Sequence, residues 1–317
     1  MSLLHVSGIT KRKEEAFLLR NINFIQEASQ RLAIAGSTGS GKTTLLKIIA
    51  GLIQPDDGEV LFEGVRVKGP LERLLPGHQH IAYLSQHFEL RNNYRVEEVL
   101  QMANKLSQQD AELVYKVCRI DHLLSRWSDE LSGGERQRIS FAKALVAAPK
   151  LLLLDEPFSN LDAIHRNILK SVITDVEEKL NTTCILVSHD PVDLLSWADE
   201  IIIIHEGKII QKGEPKEVYK NPVSEYAAAL FGKYNTVTQE LIQLFPSLEN
   251  DNRRFIRPSD LRISFDGDGI EGNIASVNFM GNFYEVEVDI AGQKLTVAEG
   301  LNFSVGDVVH VSLQTTL

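Results

Sequence analysis

The chain has 317 residues, of which 43% are hydrophobic and 24% are charged, and this composition excludes a disordered chain, a collagen and a coiled coil. Its 33 basic and 43 acidic residues give a formal net charge of −10, which argues against binding to nucleic acid or to an anionic membrane through bulk charge. At roughly 150 residues per domain, the length predicts about two domains.

The sequence shows no pattern of a targeting segment and no motif for a disulfide or a metal site built on cysteine. No signal-peptide pattern opens the chain, and no apolar run approaches the roughly 18 residues that span a membrane. We therefore expect a cytoplasmic protein that works at a membrane only through a partner. Cys118 and Cys184 lie far apart without a Cys-x-x-Cys motif, so we expect two buried apolar side chains.

Strand-like runs alternate with turns over the first 85 residues, and a helical insert follows. Apolar residues at helical spacing mark 96–124 as that insert. The predicted elements up to this point are strands at 5–9, 18–24, 31–35 and 80–85, a helix at 42–52, and a hairpin of 59–62 with 65–68.

Strands and helices alternate again after the insert. Short, wholly apolar strands between amphipathic helices predict an α/β fold with a mixed, mostly parallel sheet that is covered on both faces. The predicted elements are helices at 135–147, 161–180 and 191–197, and strands at 151–154, 184–188 and 201–205.

The pattern changes near Asn235, where we expect a second domain to begin. In residues 284–290, four apolar residues alternate with three acidic ones, which indicates a half-buried strand. Residues 236–317 contain 5 basic and 12 acidic residues, so most of the net negative charge lies there. We predict a small antiparallel β domain, joined through helical stretches at 223–232 and 239–245.

A glycine-rich loop separates the predicted strand 31–35 from the helix 42–52, and it fits the phosphate-binding pattern G-x-x-x-x-G-K-[ST]. Its glycines let backbone N–H groups turn toward a phosphate, at which the helix also aims its positive end. Lys42 would reach the outer phosphates and Thr43 would offer a hydroxyl to Mg²⁺. Alone, the loop fits kinases, GTPases and motor ATPases equally well. The predicted nucleotide-binding residues are Gly36, Ser37, Thr38, Gly39, Ser40, Gly41, Lys42, Thr43 and Thr44.

Two acidic residues follow the buried strand 151–154, at the sheet edge where the phosphate-binding loop also lies. Asp155 would hold Mg²⁺, through water, and Glu156 would polarise or deprotonate the attacking water. Solvated acids at a strand exit would look the same in isolation. Their pairing with the loop at 36–44 favours the catalytic interpretation.

The segment 131–138, Leu-Ser-Gly-Gly-Glu-Arg-Gln-Arg, resembles the signature sequence of ATP-binding-cassette (ABC) ATPases. It opens a helix and therefore forms a second anion-binding helix start. In that family two cassettes pack head to tail, and each ATP lies between one phosphate-binding loop and the opposite signature. The resemblance thus implies a homodimer in which Ser132, Gly133 and Gly134 contact the partner's nucleotide.

Three further residues match the family in the same order. Gln86 resembles the glutamine that senses Mg²⁺ and the γ-phosphate and couples the insert to transport. Asp162 lies in a segment that resembles the loop crossing the dimer, and His189 resembles the histidine that contacts the γ-phosphate. By contrast, we expect His78, His80 and His165 to be surface residues. The resemblance covers roughly residues 3–235 and implies a P-loop NTPase cassette, 1–235, with a helical subdomain at about 90–148.

One family feature is missing between the first two strands. An aromatic residue usually stacks on adenine there, but residues 10–15 contain none. Arg12 or Lys13 could lie over the purine instead, since a guanidinium can stack on a π face, and Phe17 is the third candidate.

The segment 255–260, Phe-Ile-Arg-Pro-Ser-Asp, resembles the start of the transport-associated OB-like (TOBE) domain that follows the cassette in many importer ATPases. The acidic module 236–317 is a poor surface for a polyanion, so we expect no nucleic-acid partner. A dimer-stabilising appendage and a regulatory ligand site remain equally open for it.

Together the resemblances imply an ATP-binding and ATP-hydrolysing subunit that energises an ABC importer. They imply ATP and Mg²⁺ as cofactors, and a homodimer that docks on integral membrane permease subunits at the inner face of the membrane. A solute-binding protein would be an indirect partner. The alternatives are a soluble cassette ATPase of translation or DNA repair, an exporter ATPase, and a ligand-binding regulator that uses the cassette as a switch.

Overall fold

The computed structural model describes residues 2–13, 16–85, 90, 92–159, 161–251, 253–267 and 269–314. Its contacts divide the chain into two compact units, Met1–Pro215 and Lys216–Leu317. Within these described ranges, no helix is long and apolar enough to cross a membrane. Cys118 and Cys184 are both buried and unpaired with each other, as predicted.

In the described residues, the first unit contains two sheets and six α-helices. Its strands are β1 Ser2–Lys13, β2 Ala16–Glu27, β3 Leu32–Ala35, β4 Asp57–Phe62, β5 Val65–Arg66, β6 Ile81–Leu84, β7 Leu151–Asp155, β8 Thr183–Val187, β9 Glu200–His205 and β10 Lys208–Gly213. Its helices are α1 Lys42–Ile49, α2 Val96–Ala103, α3 Gln108–Val117, α4 Gly133–Leu145, α5 Ala163–Leu180 and α6 Pro191–Leu195.

A six-stranded sheet in the order β10-β9-β3-β8-β7-β6 carries the core of this unit. Strands β9 to β6 pair in parallel, and β10 pairs antiparallel with β9 at one edge. Every residue of β3, β7 and β8 is buried, as expected for parallel strands that are covered on both faces. The mixed, mostly parallel sheet is therefore confirmed, and β10 is an addition to it.

A second, antiparallel sheet has the order β2-β1-β4-β5. The predicted hairpin is present: β4 and β5 pair through a two-residue turn in which Glu63 and Gly64 both have positive φ. β1 and β2 each extend over 12 residues and are longer than predicted. The basic end of β1, residues 11–13, pairs with residues 16–19 of β2 although it lacks the apolar alternation that marks a half-buried strand.

The helical insert consists of α2, α3 and α4, between β6 and β7. α4 begins at Gly133, two residues before the predicted start, because Ser132 caps it: the Ser132 hydroxyl accepts from the Glu135 N–H, and the Glu135 carboxylate accepts from the Ser132 N–H. It ends at Leu145, with Pro149 four residues further on.

The second unit is a small β domain with helices before it. Its elements are α7 Pro215–Lys220, α8 Glu225–Leu230, β11 Asn235–Thr236, α9 Gln239–Leu244, β12 Phe255–Ile256, β13 Leu261–Ser264, β14 Ile270–Phe279, β15 Tyr284–Ile290, β16 Gln293–Glu299 and β17 Val308–Leu313.

Five of these strands form an antiparallel sheet in the order β13-β17-β14-β15-β16. The sheet curls so that its two edge strands meet, since the Ile263 N–H donates to Glu299 Oε1 at 2.9 Å. In β15 the apolar residues Val286, Val288 and Ile290 are buried and the acidic residues between them are half-buried. This architecture confirms the predicted antiparallel, OB-like module.

The second compact unit begins 20 residues before the predicted boundary at residue 235. Arg257, which is only 1% exposed, accounts for the difference. Its guanidinium donates to the carbonyl oxygens of Tyr219, Ala228, Gly232 and Lys233, and it stacks on the Tyr219 ring at 4.3 Å. These bonds tie the helices of residues 216–233 to the β domain.

Candidate functional site

The phosphate-binding loop connects β3 to α1 at the carboxyl edge of the parallel sheet. Two of its glycines are required by space as well as by backbone conformation. A Cβ on Gly36 would lie 2.4 Å from the Ile204 carbonyl oxygen, and one on Gly41 would lie 2.7 Å from that of Leu18. Gly36 and Gly41 have φ of 154° and 103°, values that L side chains rarely adopt. The loop can therefore follow this tight path only with glycine at both positions.

Lys42, the first residue of α1, lies over the loop. Its Nζ donates to the Gly36 carbonyl oxygen at 2.6 Å and to that of Ser37 at 2.8 Å. Burial lowers the pKa of Lys42, and the negative charges of Glu156 and Asp155 oppose this shift. A desolvated ammonium at a phosphate-binding loop can bind a polyanion such as a nucleotide phosphate.

Asp155 ends β7 beside the start of α1. Its Oδ1 accepts from the Thr43 hydroxyl at 3.2 Å, and its Oδ2 accepts from the Tyr83 hydroxyl at 2.8 Å. Burial, followed by the charge of Asp155, raises the pKa of Tyr83, so the phenol stays a donor. A hydroxyl and a carboxylate in contact are hard oxygen ligands of the kind that Mg²⁺ takes from a protein alongside water and phosphate. These residues fit the predicted metal.

Glu156 follows with its backbone in the left-handed region, at φ 53°, which is rare for a residue other than glycine. Its N–H donates to the Val187 carbonyl oxygen, so the strained turn is held against β8. Its Oε2 lies 2.6 Å from His189 Nδ1 and also accepts from the His189 N–H at 3.3 Å. Local strain of this type occurs at sites where a side chain must have a defined direction.

These groups share one cleft of about 520 Å³. The cleft brings together most of the predicted loop residues, both acids and the histidine. It is lined by Leu18, Thr38, Gly39, Gly41, Lys42, Thr43, Thr44, Asp155, Glu156 and His189.

Ser132, Gly133, Gly134 and Asp162 do not line this cleft and belong to a second group. Asp162 caps α5, and its carboxylate oxygens lie 2.8 and 2.9 Å from His165 Nδ1. The His165 ring lies against α4, which the signature sequence opens and which we call the signature helix. A Cβ on Gly134 would be 2.3 Å from His165 Cδ2. We call Ser132, Gly133, Gly134, Asp162 and His165 the signature group.

Two contacts of this region were missed from sequence. His165 is a surface residue as predicted, with 36% of its side chain exposed, but it also joins the signature helix to Asp162, and a lone histidine gives no signal of such a contact. Gln137, buried in α4, donates from Nε2 to the Pro157 carbonyl oxygen and so links the signature helix to the turn that carries Glu156. Its place in the signature segment was the one available hint.

Two predictions about the site receive no support from the cleft. Gln86 lies outside the described residues. Of the three adenine candidates, Arg12 stacks on the Phe17 ring at 4.5 Å, and Arg20 lies over the same ring at 5.1 Å. The strand β2 lines the cleft with Leu18 rather than with an aromatic side chain.

A phosphate-binding loop at the carboxyl edge of a parallel sheet, facing two acids and a histidine, defines a P-loop nucleoside triphosphatase. The sequence profile of the ABC transporter family matches residues 19–159, and that of the TOBE domain matches residues 255–316.

Individual proteins agree with these profiles. The chain is 36% identical over 281 residues to the glucose import ATP-binding protein GlcV of Saccharolobus solfataricus, covering 82% of this chain and 80% of that protein. It is 31% identical over 329 residues to the spermidine/putrescine import ATP-binding protein PotA of Clostridioides difficile, covering 96% and 93%. The structure of cbiO1 from Clostridium perfringens, part of the ABC transporter complex cbiONQ, matches 68% of this chain and 90% of its own at 26% identity and a TM-score of 0.61.

The chain therefore belongs to the ABC transporter family, as one of its ATP-binding, ATP-hydrolysing subunits.

Proposed function

We propose that this protein is the ATPase subunit of an ABC importer and that it hydrolyses ATP as a homodimer. The observation that carries the proposal is the division of the predicted site into two groups within one subunit. The cleft holds the phosphate-binding loop, Asp155, Glu156 and His189, whereas the signature helix starts elsewhere. The first amides of a helix lack intrahelical partners and favour an anion. In the homodimer, that anion is the ATP bound to the phosphate-binding loop of the other subunit.

Within the cleft each residue has a distinct task. Lys42 and the loop amides bind the β- and γ-phosphates, and Thr43 and Asp155 hold Mg²⁺. When bound, Mg²⁺ supplies charge neutralisation at the phosphate oxygens. Glu156 orients the attacking water and accepts its proton, while His189 holds the Glu156 carboxylate and faces the γ-phosphate. Gln86 is proposed to act beside the metal on the resemblance alone.

The direction of transport is proposed from the relatives and from the second unit. Both relatives named above are import ATP-binding proteins, and each matches this chain across more than three quarters of its length. The TOBE domain matched at residues 255–316 supports the same direction, since such a domain follows the cassette in many importer ATPases. Because those two relatives import chemically different solutes, the transported solute is left open. A permease partner implies a location at the inner face of the membrane.

A groove between the large sheet and the helical insert is the proposed permease-docking surface. It has a volume of about 610 Å³ and runs along β6, the edge strand of the six-stranded sheet. Its walls combine apolar residues with Lys105 and Lys143. A groove that combines apolar and polar walls with two cations fits an amphipathic helix that carries an acidic residue.

Charge reversal in this groove tests the docking proposal. We expect Lys143→Glu to release the full-length protein from the membrane fraction of its host, with ATPase activity of the purified protein within about twofold of wild type. Lys116→Glu on α3 is the matched control, since Lys116 is exposed and outside the groove. Equal membrane retention of Lys143→Glu and wild type would refute this surface.

Co-purification of the wild type with ribosomes or DNA instead of integral membrane proteins would favour a soluble cassette ATPase.

The signature group allows a test by compensation. We expect Gly134→Ala to reduce ATPase activity by about tenfold or more, because its Cβ would collide with the His165 ring. ATP binding to the subunit's own phosphate-binding loop is expected to persist. Adding His165→Ala removes the obstacle and is expected to restore part of the activity, measured as steady-state phosphate release. If the double variant is no more active than Gly134→Ala, the His165 contact does not set the position of the signature helix.

A further inference from the structure

His189 is held in place by little more than its own backbone. Its side chain is 67% exposed, and the contact that the structure gives its ring is the one with Glu156. The direction of the ring therefore depends on how firmly residues 188–190 are fixed. Those residues follow β8 and lead directly into α6.

Two acidic residues anchor this segment to α5. Asp193, whose side chain is 0% exposed, lies 2.6 Å from Lys170 Nζ and accepts from the Ser188 hydroxyl at 3.1 Å. Asp190 accepts from Arg166, one turn before Lys170 on the same helix. The residues on both sides of His189 are thus bound, directly or through Asp193, to two cations of α5.

Lys170 also contacts the segment that carries Glu156. Its ammonium lies 5.7 Å from the centre of the Phe158 ring, and Phe158 is buried two residues after Glu156. One side chain of α5 therefore touches both segments that bring Glu156 and His189 together. A buried carboxylate such as Asp193 requires its cation, because an unpaired buried charge is strongly unfavourable.

We propose that Lys170, with Asp193 and Arg166, is a positioning residue for the Glu156–His189 pair. Lys170 acts through Asp193 and Phe158 and does not itself contact Glu156 or His189. The inference rests on the roles proposed for Glu156 and His189. It predicts that Lys170 acts on turnover through His189, while ATP binding by the loop at 36–44 is untouched.

The test is a double-variant cycle on the purified full chain. We expect Lys170→Met to lower kcat about tenfold while binding of a non-hydrolysable ATP analogue changes less than about twofold. Lys170→Arg, which keeps the charge, is expected to recover most of kcat. In a His189→Ala background, Lys170→Met is expected to cause little further loss. Lys179→Met is the matched control, because Lys179 forms an exposed ion pair with Asp175 on the same helix.

Asp193→Asn is measured in parallel, since it keeps the side-chain shape and an acceptor for Ser188 while removing the charge. It is expected to show the same dependence on His189. A full kcat in Lys170→Met, or the same fold loss with and without His189, would overturn the positioning role. If His189→Ala alone leaves kcat unchanged, the role proposed for His189 fails instead, so the two failures are distinguishable.

Discussion

We expect Lys42→Ala to weaken ATP binding by about a hundredfold or more. Charge-assisted hydrogen bonds to phosphate are worth roughly 1.5–3 kcal/mol each, and Lys42 is the cation at the centre of the loop. The fold is expected to survive, because burial already lowers the pKa of Lys42 and its charged form is disfavoured where it lies. Titration with a fluorescent ATP analogue measures the effect.

Lys68→Ala is the control for this titration, since Lys68 is exposed and outside the cleft. Its affinity should equal that of the wild type. Wild-type affinity in Lys42→Ala would mean that the loop at 36–44 does not bind the nucleotide phosphates.

The second large effect is expected for Glu156→Gln. Removing a general base costs about 10²- to 10⁴-fold in rate, so hydrolysis should fall to a small fraction of wild type. ATP binding should remain, because the amide has the same shape and can still contact His189. Glu178→Gln makes the same chemical change at an exposed position of α5 and should leave kcat unchanged. Undiminished turnover in Glu156→Gln would overturn the assignment of Glu156 as the base.

Local patterns in the sequence predicted the part of the fold that positions the cleft. The wholly apolar run 151–154, between amphipathic helices, predicted a strand covered on both faces, and this placed the following acids at the sheet edge beside the phosphate-binding loop. In residues 284–290 the alternation of apolar and acidic residues fixed the strand and its buried face.

Contacts between distant segments could not be predicted in this way. Arg257 moves the boundary of the compact units because it binds carbonyl oxygens 24 to 38 residues earlier in the chain. Lys170 and Asp193 occupy ordinary positions on two helices, and no spacing rule pairs them. The contact of His165 with Gly134 was missed for the same reason, since it exists only in the folded unit.

In the proposed homodimer, the signature group of one subunit completes the ATP site of the other. Glu156→Gln tests this shared site most directly, because hydrolysis no longer limits the lifetime of the nucleotide-bound state. Molar mass and bound nucleotide are measured together by light scattering on a sizing column, with and without ATP and Mg²⁺. With ATP and Mg²⁺ we expect a species of twice the subunit mass that carries two ATP molecules. A monomer that carries ATP would overturn the proposed shared site.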